Sequence, residues 1–153
     1  MKPIICVTGT PGTGKTLFAK KLCTRKKLSY VDVTALIARE RLYTHYDRKL
    51  HTRVVHMRKL IDMLTSFITA AHKTQTGLVI DSHLSHYVPH TLVDTCFVVT
   101  CPLPVLKRRL TQRKYSAHKI RENLDAEIMQ VCYLEALANK HHVALVRGES
   151  LRT

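Results

Sequence analysis

The sequence predicts an α/β fold in which a parallel sheet carries helices on both faces. Three observations predict it. Short apolar runs rich in β-branched residues, at 3–8, 28–33, 77–81, 95–100 and 142–146, alternate with helical patterns. The first run leads directly into residues 9–16, G-T-P-G-T-G-K-T, which fit G-x-x-x-x-G-K-[ST], the pattern of a phosphate-binding loop. The run G-L-V-I-D ends on an acid, Asp81, and ligands of such sheets bind beyond the carboxyl ends of the strands.

Each element has its own reason. Residues 17–27 form a helical pattern with apolar Leu17, Phe18 and Leu22 and a basic last turn. Thr34 is placed to cap a helix over 35–42, after the strand L-S-Y-V-D-V. Residues 43–49 are polar and turn-like. Val54, Val55, Leu60, Ile61, Leu64, Phe67 and Ile68 fall at helical spacing and predict a long helix from about 51 to 72. Pro102 and Pro104 punctuate the start of a helix over 105–112. Residues 115–120 form a basic loop, and Leu124, Ile128, Val131 and Leu134 predict one helix over 121–140.

Length and composition narrow the function. The 153 residues, 45% apolar, suit one domain spanning 1–153. Against 11 Asp and Glu stand 25 Lys and Arg, a net charge of +14, which favours polyanionic partners. Much of the excess lies at 39–59 and 107–122, seven Lys or Arg in each. The five cysteines are odd in number and include no C-x-x-C, so reduced thiols in an intracellular protein are expected. The first strand begins at once, so no signal peptide is expected, and no apolar run approaches the roughly 18 residues of a membrane span.

The loop names its own chemistry. Its glycines let the backbone curl around an anion. Lys15 places a cation against β- and γ-phosphates, and the Thr16 hydroxyl is a ligand for Mg²⁺. Asp81 stands where a strand-end carboxylate holds Mg²⁺, directly or through water, although a strand-end Asp also serves as a cap. His83, two residues on, suits either water positioning or an ordinary loop. Arg109 and Arg113, four apart, share a helical face, which serves either a migrating phosphoryl group or a solvated surface. The histidines at 83, 86 and 90 near Cys96 and Cys101 match no standard zinc spacing.

Several motifs taken together resemble one family. They are G-T-P-G-T-G-K-T, Y-V-D-V, L-Y-x-x-Y-D at 42–47, V-I-D-S-H-L-S-H-Y-V-P, and R-R-L-x-x-R-x-Y-S-x-x-K-I-x-E-N-x-x-A-E-I at 108–128. The chain resembles the adenylate kinase isoenzyme 6 family, and D-S-H-L-S-H-Y is most similar to its archaeal members. The resemblance implies a three-layer α/β/α core with a five-stranded parallel sheet, a helical monophosphate-binding region at about 32–55 and a short lid at about 112–122. It implies ATP with Mg²⁺ as cofactors and AMP or another nucleoside monophosphate as acceptor. Gly12, Thr13, Gly14, Lys15, Thr16 and Leu17 match the ATP loop, Arg113 the lid arginine, and Arg109 the arginine of the preceding helix. Asp81 and His83 match the D-x-H element, and Thr16 with Asp81 the Mg²⁺ ligands. The family's other activity, ATP hydrolysis in small-subunit ribosome maturation, implies a ribosomal protein and rRNA as partners, with no membrane. It implies the cytoplasm for a prokaryotic protein and nucleus and cytoplasm for a eukaryotic one.

The chain departs from the family pattern in three places. Ala35 and Ala38 stand where an acid and an arginine are usual, with Arg39 one place late. Residues 46–59 are basic where many relatives are acidic. Relatives usually carry another helix after the last strand. Two functions therefore stand side by side: an adenylate or nucleoside monophosphate kinase with ATPase activity, and an ATPase assembly factor with little kinase activity.

Overall fold

The computed structural model describes residues 2–49 and 52–148. A five-stranded parallel sheet runs in the order β2-β5-β1-β6-β7: Ser29–Asp32, Leu78–Asp81, Ile4–Thr8, Thr95–Thr100 and Val143–Arg147. β1 is therefore central, paired on both sides, and fully buried. The alternation of strand side chains sends its residues to opposite faces. Ile4 and Cys6 join the core beneath α2 (Val33–Glu40), α3 (Met57–Lys73) and α6 (Val131–Ala138), with Leu36, Leu60, Leu64, Ile68, Ile80 and Ala136. Ile5 and Val7 join the opposite layer with Ala19 and Leu22 of α1 (Lys15–Lys26), together with Val79 and Val99. The predicted helix–sheet–helix layering is thus present. A smaller cluster joins Leu106 and Leu110 of α4 (Leu103–Gln112) to Cys101, with Ile120 and Leu124 of α5 (Ala117–Ile128) packed against it. Among the described residues no helix is long and apolar enough to cross a membrane.

Two stretches and one cap differ from expectation: α2 begins at Val33 and is capped by Asp32, which accepts the Ala35 N–H, and not by Thr34. Residues 43–55, read as a turn and a helix start, form an antiparallel hairpin of β3 (Tyr43–Asp47) and β4 (Thr52–Val55). Val54 and Val55 lie opposite His45 and Tyr43, where β-branched side chains suit a strand. The His56 ring accepts the Lys59 N–H at 3.3 Å, so α3 is capped there and begins at Met57. The expected helix over 121–140 is two helices. Its basic lead-in belongs to the first turn of α5, capped by Ser116, which accepts the Lys119 N–H at 3.1 Å. At the far end Gln130 takes a left-handed φ of 51° and turns the chain into α6. Residues 112–122, expected as a lid, form the end of α4, a tight turn with Lys114 at φ 59° and the first half of α5.

Candidate functional site

The central strand delivers the phosphate loop to the middle of the sheet's carboxyl edge. Gly9 has φ 146°, and a side chain there would run into the Val99 carbonyl oxygen of the neighbouring strand. Gly14, at φ 102°, opens α1, so the following N–H groups and the helix dipole face outward. The loop is braced from within. The Thr10 carbonyl accepts the Thr13 hydroxyl at 2.9 Å, the Thr13 N–H at 3.3 Å and the Lys15 ammonium at 3.1 Å. Thr13, expected at the nucleotide, therefore spends its side chain inside the loop, where it is fully buried. Loss of hydration lowers the Lys15 pKa to about 8, although Asp81 acts in the opposite direction.

Asp81 is brought to the loop by strand pairing, one position beyond the Cys6–Ile80 pair and opposite Val7. It is 6% exposed, and its Oδ2 accepts two hydroxyls: Thr16 at 2.8 Å and Tyr30 at 2.6 Å. Burial and the adjacent carboxylate raise the Tyr30 pKa, so this hydroxyl is a fixed donor. Tyr30 was missed in the sequence, because its approach to Asp81 depends on β2 lying beside β5. Asp32 is the register partner of Asp81, but its Oδ1 caps α2 by accepting the Ala35 N–H at 3.1 Å. The Thr16 hydroxyl and the Asp81 carboxylate form a hard oxygen pair that fits Mg²⁺, which keeps several waters and shares substrate phosphates.

Gly12, Gly14, Lys15, Thr16, Leu17, Asp32, Thr34, Asp81, His83, Arg113 and Tyr115 line one open cavity of about 510 Å³. Most of the expected site residues thus share a single space. His83 and Tyr115 also line an adjoining cavity of about 470 Å³. His83 is exposed. The protein around it and the Lys15 cation nonetheless lower its pKa to about 4, so the imidazole is neutral. Arg109 is absent from this cavity wall. Its Nη1 donates to the Gly12 carbonyl at 3.2 Å and contacts Cys101 Sγ at 3.6 Å, which holds the guanidinium against the loop. Arg113, at the end of α4, is the arginine that faces the cavity.

Behind the loop lies a buried relay with no sequence signature. His86 is 1% exposed, with Nδ1 2.7 Å from the Thr8 hydroxyl and Nε2 2.7 Å from Glu135 Oε2. A carboxylate can only accept, so Nε2 carries the proton and Nδ1 accepts from Thr8. The Tyr87 hydroxyl donates to the same Glu135 oxygen at 2.8 Å, and the Asn139 amide donates to the His86 carbonyl at 3.0 Å. The end of β1, the turn at Ser85–Tyr87 and α6 are thereby bolted together under the phosphate loop.

Comparison with known proteins bears on family and fold. The "AAA domain" family profile matches residues 5–130. A chain from Methanocaldococcus jannaschii is 32% identical over 139 residues, covering 91% of this chain and 75% of its own. An "Adenylate kinase isoenzyme 6 homolog" from Dictyostelium discoideum is 32% identical over 135 residues, 88% of this chain and 74% of its own. A protein of the same name from Schizosaccharomyces pombe is 34% identical over 134 residues, again 88% and 74%. In three dimensions a shikimate kinase from Bacteroides thetaiotaomicron superposes with a TM-score of 0.60 at 13% identity, over 99% of this chain and 89% of its own, which is a likeness of fold. From its phosphate loop, its sheet and its relatives, the chain belongs to the adenylate kinase isoenzyme 6 family, built on a P-loop kinase fold.

Proposed function

We propose that the protein is a Mg-ATP-dependent kinase that transfers the ATP γ-phosphoryl group to AMP or a related nucleoside monophosphate. The observation that carries this reading is the single cavity shared by Lys15, Thr16, Asp81 and Arg113 on one side and Asp32 and Thr34 of the expected monophosphate region on the other. The loop amides and Lys15 hold the β- and γ-phosphates. Arg113 neutralises the migrating group from the α4–α5 turn. Arg109 keeps the loop in shape through the Gly12 carbonyl. Thr16 and Asp81 are the residues that would hold Mg²⁺, whose contribution when bound is positive charge on phosphate oxygens. Positioning and charge supply most of such catalysis.

A specific observation favours a second reading, an ATPase of small-subunit assembly with little kinase activity. On α2 the exposed Ala35 and Ala38 offer no cation to a monophosphate, and the Arg39 guanidinium is paired with Glu40 at 3.2 Å. ATP turnover by the purified protein, with and without AMP, separates the two. ADP formed from AMP without free phosphate supports the kinase. Phosphate release that AMP leaves unchanged supports the ATPase.

A further inference from the structure

The β3–β4 hairpin stands apart from the main sheet as its own two-stranded ladder. Its root is in the core. Leu42 is buried, its carbonyl accepts the His56 N–H at 2.8 Å, and Tyr43 and Val55 pack against the α2–α3 layer. Its outer part is solvent-exposed and cationic: Tyr46, Arg48, Lys49 and Arg53 are all exposed. Tyr46 and Arg53 are register partners, so their side chains share one face of the ladder. The Arg53 guanidinium also lies 4.9 Å from the Tyr43 ring centre, so that face carries an arginine flanked by two aromatic rings. Asp47, the only acid between Arg41 and Lys59, has a carboxylate oxygen accepting the Lys49 N–H at 2.9 Å.

We infer that this hairpin is a binding arm for single-stranded RNA. Nucleotide bases need an exposed aromatic face to stack on, and Tyr46 is 51% exposed. Phosphates need cations a few residues away, and Arg48, Lys49 and Arg53 supply them. A duplex hides its bases, so a stacking platform on a narrow arm selects a single strand. His45, paired with Val54, is exposed on the other face of the same narrow ladder, where its ring suits the ribose 2′-OH of a strand that wraps the arm. The inference does not depend on what the nucleotide cavity does.

The test uses the full chain without ATP or AMP. A fluorescein-labelled oligouridylate of about 12 nucleotides, within the usual span of single-strand sites, is titrated by anisotropy at several salt concentrations. Affinity is expected to fall linearly with salt on logarithmic axes. Tyr46→Ala is expected to weaken binding at least about fivefold at every salt concentration, and Tyr46→Phe to restore it. Arg48→Gln and Lys49→Gln are each expected to lower the salt slope by about 0.7. Urea midpoints are measured for each variant, so that loss of fold is recognised. Variants that keep the wild-type midpoint, affinity and slope overturn the inference. Equal affinity for the deoxy oligomer overturns the assignment to RNA, and equal affinity for a duplex overturns the single-strand platform.

Discussion

Removing one hydroxyl tests how Asp81, the carboxylate proposed to hold Mg²⁺, is oriented. Tyr30→Phe deletes the 2.6 Å hydrogen bond to Asp81 Oδ2 and leaves the ring in place, so no cavity opens. A hydrogen bond to a charged acceptor contributes about 1.5–3 kcal/mol, and the half-exposed position of Tyr30 argues for the lower end, about 1.5 kcal/mol. Thr16 donates to the same oxygen at 2.8 Å, but it must leave that bond to serve a metal. Tyr30 is then the donor that keeps the carboxylate aimed. Loss of about 1.5 kcal/mol corresponds to roughly a tenfold shift in the Mg²⁺ concentration that half-saturates ATP turnover. The assay is steady-state turnover against Mg²⁺, with ATP binding in EDTA as the metal-free reference. The Mg²⁺ dependence should shift while metal-free binding stays constant. An unchanged Mg²⁺ dependence would refute the assignment of Asp81 as a metal carboxylate oriented by Tyr30.

Four further predictions concern the phosphate loop and the relay behind it. Because burial lowers the Lys15 pKa to about 8, kcat/KM for ATP should fall as pH rises through that value and the ammonium is lost. Lys15→Arg should flatten this limb and Lys15→Ala abolish turnover, whereas a flat wild-type profile up to about pH 9.5 would contradict the buried cation. His86→Leu leaves the Thr8 hydroxyl without its ring partner and removes the Glu135 bridge, a loss of about 3 kcal/mol, or a fall in Tm of about 6–12 °C; an unchanged Tm would show that the relay holds nothing. The same ring has its pKa lowered by burial, so the folded state resists its protonation, and stability should decline as pH falls below the ordinary histidine value near 6.5, a decline that urea midpoints of His86→Leu should lack. Gly9→Ala forces a side chain toward the Val99 carbonyl at φ 146° and should cost about 2 kcal/mol or more in urea unfolding, and an unchanged urea midpoint would contradict that close approach.

The sequence by itself determined the parallel α/β architecture and the core of the site. The phosphate loop is legible because its glycines, Lys15 and Thr16 act within eight consecutive residues, and local geometry suffices to aim them. Asp81 was legible because an apolar run ending in an acid places that acid at a strand terminus. Tertiary structure alone decided the rest. Tyr30 reaches Asp81 across 51 residues, and His86 reaches Glu135 across 49, because strand order and helix packing set those distances. Arg109 and Arg113 share a helix, yet only packing against the loop gave one to Gly12 and the other to the cavity. The hairpin escaped detection because Val54 and Val55 satisfy a helical spacing as well as a strand, and the His56 cap settled the boundary. The break at Gln130 needed a left-handed backbone at a residue that is not glycine, and an apolar stripe carries no mark of that conformation.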